Sequence, residues 1–115
     1  MKHRPTTIKS FYQQKKGRNA SNTAALAKLR KEIDTLDGNI CSALSRRFTL
    51  TQKVAKIKHE LQISVYDAKR EKTVLDKIKT HDFDPAITLA ICRLYKLLFA
   101  LSKKYQRSLN KKSRH

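Results

Sequence analysis

The side chains suited to chemistry in this chain are cations set among core-type residues. Stepping by three and four along the first half gives Arg30, Ile33, Asp37, Ile40, Leu44, Arg47, Thr51, Val54 and Lys58, one face of a helix. Arg30, Arg47 and Lys58 therefore share a stripe with apolar residues. Cations turned inward are costly unless something anionic meets them. The plainer alternative is that the helix drifts against its neighbours and the long side chains carry their charged heads outward. Asp67, Arg70 and Glu71 make a second group, which taken alone reads as an N-cap followed by a helical ion-pair face. Ser102 and Gln106 make a third, spaced i and i+4 beside Tyr95, Leu98 and Leu109. Taken alone, a Ser and a Gln near a helix end favour the surface. The chain shows no nucleophile motif and no phosphate-binding loop. Its histidines, His3, His59, His81 and His115, do not cluster with cysteines or acids, so neither a metal nor another cofactor is expected. What remains is a set of groups fitted to grip a small dianion.

The elements that must position these groups are helices. Gly and Pro total four of 115 residues, which disfavours turn-rich sheets and suits long helices. From Ser21 or Asn22, either of which caps a helix, to about Leu61 the chain reads as one helix. Leu26, Leu29, Ile33, Leu36, Ile40, Leu44, Val54, Ile57 and Leu61 recur at helical spacing along it. Gly38 is its one soft position, costing about 1 kcal/mol relative to Ala. Gln62–Tyr66 breaks the pattern, and Asp67 opens a second helix to about Lys79 with Val74, Leu75 and Ile78 on its apolar face. Thr80–Phe83 is a linker. Asp84-Pro85, a capping acid followed by proline at the first helical position, restarts the chain as a third helix to about Arg107. The expectation is an all-α fold of three helices with one very long first helix.

Distance then sets the assembly. A helix of about forty residues is ~60 Å long, wider than a domain of this size, and needs partners beyond its own chain. Arg30 and Arg47 are ~25 Å apart along such an axis, and Arg47 and Lys58 ~16 Å. A metabolite held between Arg47 and Lys58 is out of reach of Arg30 in the same chain, yet within reach of Arg30 on an antiparallel partner helix. An intertwined helical homodimer accounts for both the over-long helix and the stranded arginine.

Charge and cysteine content narrow the setting. Lys and Arg number 27 against nine acids, a formal charge of +18. Residues 1–21 and 103–115 each carry six of those bases and no acid, so two-thirds of the excess sits at the ends. The expected organisation is a basic flexible extension over 1–21, a folded domain over 22–107 and a basic tail over 108–115. Cys41 and Cys92 fall on apolar helical positions and read as buried free thiols. No apolar run reads as long enough to span a bilayer, and the basic start lacks the apolar core of a secretory signal. A reduced, cytoplasmic protein without membrane contact is expected.

Five pieces of the chain carry a resemblance: LRKEIDTLD at 29–37, ALSRR at 43–47, VAKIK at 54–58, VYDAKRE at 65–71 and RLYKLLFALSKKYQ at 93–106. None is specific alone. As an ordered set covering about two-thirds of the chain, they resemble the all-helical (type II) chorismate mutase family. The resemblance implies a Claisen rearrangement of chorismate to prephenate, a pericyclic reaction that needs neither proton transfer nor a covalent intermediate. That explains how a chain without a nucleophile–base pair is an enzyme, working by orientation and electrostatic preorganisation. It further implies that Arg47 and the Arg30 of a second copy hold the two substrate carboxylates. Lys58 and Gln106 would donate to the breaking ether oxygen, and Glu71 would accept from the ring hydroxyl with help from the region of Asp67. Ser102 and Arg70 would complete the carboxylate network. Gln106 is a neutral amide and donates at any pH, so activity should not require acid. The chain has no room for a fused dehydratase or dehydrogenase and no visible regulatory domain, so a monofunctional enzyme is expected.

Two other readings stand beside this one. An isochorismate pyruvate lyase shares the helical fold, the cationic site and pericyclic chemistry; Glu71 within VYDAKRE favours the mutase. A basic, helical nucleic-acid-binding protein fits the net charge. Against it, the bases are not gathered on one recognition helix and the aromatic residues are few.

Overall fold

The computed structural model describes residues 16–113. Three helices follow one another: α1 over Lys16–Glu60, α2 over Ala68–Lys79 and α3 over Pro85–Ser113. No strand occurs among the described residues. The all-helical expectation and the very long first helix hold.

The helix ends follow local chemistry, with two differences from expectation. α1 is already helical at Lys16, the first described residue, ahead of the capping position expected at Ser21 or Asn22. No breaker separates Lys16 from those residues except Gly17, and the Thr23 hydroxyl donates to the Asn19 carbonyl at 2.7 Å as it does inside a helix. Residues 16–21 are thus helical, while residues 1–15 of the expected extension lie outside the described residues. α3 runs on past Arg107 to Ser113, so residues 108–113 of the expected tail are helical too; residues 114 and 115 lie outside the description. No Gly or Pro follows Pro85, and Leu109, Lys111 and Lys112 propagate a helix well.

Between the helices the caps are as the sequence suggests. α1 closes with Ile63 N–H donating to the Lys58 carbonyl at 2.9 Å and Gln62 N–H to the His59 carbonyl at 3.1 Å. That is a Schellman turn, and it holds Gln62 at φ 57°, a conformation that favours glycine. Asp67 caps α2, its Oδ1 accepting from Arg70 N–H at 2.9 Å. α2 ends on Thr80, whose hydroxyl and N–H both turn back to the Lys77 carbonyl. Asp84 Oδ1 accepts from Ala86 N–H at 2.8 Å and caps α3, with Pro85 at its first position.

The chain divides into two compact units between Ala43 and Leu44. In the first, Leu26, Leu29, Ile33, Leu36 and Ile40 are all exposed. Cys41 is exposed as well, which corrects the expectation of a buried thiol, since no element among the described residues covers its face of the helix; Cys92, in the other unit, is buried. The second unit comprises α1 from Leu44, α2 and α3. Its buried residues are few: Ala55, Ile78, Cys92 and Phe99, joined by the polar Ser102 and Gln106. α2 packs on α3, with Ile78 at the buried point of α2.

One further expectation changes. Within Pro85–Ser108, an 18-residue stretch is long and apolar enough to cross a membrane by length and composition. The helix carries Arg93 and Lys96 within that stretch, and Cys92, Phe99, Ser102 and Gln106 recur on one face as its buried stripe. That pattern is one a core helix shows when it packs against neighbours.

Candidate active site

The second unit contains a cavity of about 300 Å³, to which all three helices contribute. From α1 come Arg47, Thr51, Val54 and Lys58, part of the expected stripe at steps of three and four, joined by Leu50. The loop after α1 and the first turns of α2 bring Val65, Asp67, Arg70, Glu71 and Val74. Phe99, Ser102, Lys103 and Gln106 complete the wall from α3. Seven of the eight candidate residues therefore line one space: Arg47, Lys58, Asp67, Arg70, Glu71, Ser102 and Gln106. The eighth, Arg30, belongs to the other unit and is exposed.

Arg47 and Lys58 are held by their surroundings. The Arg47 guanidinium carbon lies 5.6 Å from the Tyr95 ring centroid and 5.7 Å from that of Phe99, so two aromatic faces fix its position. Those rings meet edge to face, 5.9 Å apart. Lys58 is half-buried and donates from Nζ to the Val65 carbonyl at 3.2 Å, which ties the loop after α1 to the helix it leaves. An ammonium has three donors, so two remain. The Schellman turn and this hydrogen bond together bring Asp67, and with it α2, to the cavity rim.

Ser102 and Gln106 correct the surface placement that their types favour. Their residues are 6% and 7% exposed. Gln106 Nε2 donates to the Thr51 carbonyl at 2.9 Å, a tie between α3 and α1 that spends one of the two amide hydrogens. Ser102 Oγ is buried and has no hydrogen-bond partner. Buried hydroxyls are nearly always paired, so this one on the cavity wall is left open to a polar group entering the cavity.

The second group also differs from a simple surface ion-pair face. Glu71 pairs with Lys103 of α3, Nζ to Oε2 2.9 Å, and not with its helix neighbour Arg70. The lysine ammonium also sits 4.4 Å from the Tyr66 ring centroid. The other ion pair among the described residues, Lys72–Asp76 at 2.7 Å, lies on the solvent side of α2. There the hydrogen bond from Lys72 holds the Asp76 carboxyl below its ordinary value.

Lys103 is the residue that sequence reasoning missed. It begins the run of bases at the chain's end, and its type and spacing alone do not separate it from them. Thr51 contributes through its carbonyl, which residue type does not reveal, and Tyr95 and Phe99 read only as apolar positions. The lining as a whole carries four cations, Arg47, Lys58, Arg70 and Lys103, against the acids Asp67 and Glu71. A net positive space with apolar patches from Leu50, Val54, Val74 and Phe99 suits a compact, doubly negative organic molecule.

The family described as chorismate mutase type II matches residues 29–107, a stretch that includes every residue of the cavity wall and Arg30. The chain belongs to that family. It is accordingly an isomerase, a chorismate mutase of the all-helical kind, with its place in aromatic amino-acid biosynthesis. A curated relative, the chorismate mutase of Methanocaldococcus jannaschii, is 33% identical over 97 residues, which cover 77% of this chain and 95% of the relative. No solved structure matches the chain significantly.

Proposed function

We propose that the cavity binds chorismate and rearranges it to prephenate, with Arg30 of a second copy completing each site. The observation that carries this reading is the convergence of Arg47, Lys58, Arg70, Glu71, Ser102 and Gln106 on one small space that keeps an unpaired buried hydroxyl.

The rearrangement breaks an ether C–O bond and forms a C–C bond in one cyclic movement of electrons. No proton changes hands, so the protein's part is to select the compact diaxial conformer and to stabilise charge as it separates. Arg47, braced between Tyr95 and Phe99, offers a planar fork to one carboxylate. Arg30 of the second copy meets the other. Negative charge grows on the ether oxygen as its bond breaks, and the remaining donors of Lys58 and Gln106 are directed to it. Both residues are anchored through Val65 and Thr51, so little reorganisation is needed during the reaction. Glu71 accepts from the ring hydroxyl, while Ser102 and Arg70 complete the carboxylate contacts and Asp67 holds the start of α2.

The dimer is supported by the exposed Leu26, Leu29, Ile33, Leu36 and Ile40, an apolar stripe that runs beside Arg30. Such a contiguous stripe on a soluble protein marks an interaction surface. Covering it with an antiparallel copy brings Arg30 along. The same burial serves the exposed apolar positions Leu94, Leu97 and Leu101 of α3, which makes that helix part of a dimer core in a cytoplasmic enzyme.

The test is direct. Purified protein incubated with chorismate should consume it and yield prephenate. Absence of turnover, or release of salicylate and pyruvate from isochorismate instead, overturns the reading.

A further inference from the structure

The geometry points to Lys103 as a positioning residue for the rearrangement, acting through Glu71. The inference rests on the proposed role of Glu71 as acceptor for the ring hydroxyl.

Three observations carry it. Lys103 Nζ lies 2.9 Å from Glu71 Oε2, and both residues line the cavity. Their side chains are 22% and 25% exposed, whereas the surface pair Lys72–Asp76 is 77% and 52% exposed. Lys103–Glu71 is therefore the pair less screened by solvent, and it links α3 to α2 across the cavity wall. Finally, the ammonium is seated 4.4 Å from the Tyr66 ring centroid, so an aromatic face holds it from a second side.

The consequence is twofold. Engaging Oε2 leaves the other carboxylate oxygen of Glu71 as the free acceptor and fixes which way it faces. The ammonium also offsets the Glu71 charge, which would otherwise repel an incoming dianion. Both effects act on binding and orientation, and neither touches the breaking bond. A loss of Lys103 should therefore appear mainly in KM.

The experiment is a double-mutant cycle on the full-length chain with chorismate as substrate, using Lys103→Met, Lys103→Arg, Glu71→Gln and the Lys103→Met/Glu71→Gln double variant. Lys103→Met should raise KM about tenfold and move kcat less than about threefold. Lys103→Arg should restore most of the loss. In the Glu71→Gln background Lys103→Met should add almost nothing, because the partner through which it acts is gone. Lys103→Gln serves as a second neutral variant should the methionine disturb packing, with circular dichroism reporting helix content.

Normal kinetics in Lys103→Met, losses that multiply independently in the double variant, or a Lys103→Arg enzyme no better than Lys103→Met each overturn the proposal while leaving the reading of the cavity intact. An unsubstituted chain that leaves chorismate untouched overturns that reading, and this proposal with it.

Discussion

Up to Ala43, α1 presents Leu26, Leu29, Ile33, Leu36 and Ile40 at helical spacing, all of them exposed. From Leu44 onward the same spacing brings Arg47, Thr51 and Lys58, half-buried, to a cavity wall shared with α2 and α3. The two stretches belong to one helix and follow one periodicity, yet among the described residues only the second finds partners. Apolar residues in the first stretch are as regular as those of any core helix and stay uncovered among the described residues. Polar residues in the second stretch, costly on such a face, have each other and a cavity. Seven of the candidate residues thus lie in one unit, and the other unit holds an apolar stripe with Arg30. The two shortfalls are complementary, which is why the assembly proposed above answers both.

Substitutions on either side of that contrast separate its parts. The largest effect should come from the cavity side. Lys58→Ala should lower kcat by about 10²–10³-fold with a smaller change in KM, because its contact strengthens as the ether bond breaks. Single-turnover measurements would check this, and near-normal turnover would remove Lys58 from its assigned role. On the stripe side, Ile33→Asp should leave the cavity residues untouched but place a charge where a second copy is expected to pack. Unpaired buried charge costs about 3–5 kcal/mol, so sedimentation should show dissociation, and activity should fall with it. An Ile33→Asp protein that stayed active as a monomer would make the stripe irrelevant to the site. A smaller effect is expected where the two stretches have no part. Gln62 sits in the left-handed region at φ 57°, so Gln62→Gly should raise stability by about 1 kcal/mol in thermal melts while leaving kinetics alone.

The contrast also marks what a sequence reveals. Asp67, Asp84 and Pro85 announced two helix starts because capping is local chemistry, complete within a few residues. Composition near the outer ends of α1 and α3 resembles a solvated tail, yet apart from Gly17 the described residues there include no helix breaker. Among the site residues, Arg47 and Lys58 were legible from the conflict between their charge and their apolar face. Ser102 and Gln106 were not legible from type or spacing, and only their order within a family pattern singled them out. Their burial depends on α1 meeting α3, as in the Gln106–Thr51 hydrogen bond between residues 55 apart. Lys103 stayed hidden for the same reason: its pairing with Glu71 exists only after α2 and α3 have packed.

Mixing two disabled chains tests the shared site most directly. Arg30→Ala and Arg47→Ala should each lose nearly all activity as pure proteins. Unfolded together and refolded, they should form mixed dimers in which one of the two sites receives Arg47 from one chain and Arg30 from the other. With random pairing, about a quarter of the unsubstituted activity should return. A mixture as inactive as its components, or an Arg30→Ala protein that turns over chorismate normally by itself, would contradict a site built from two copies.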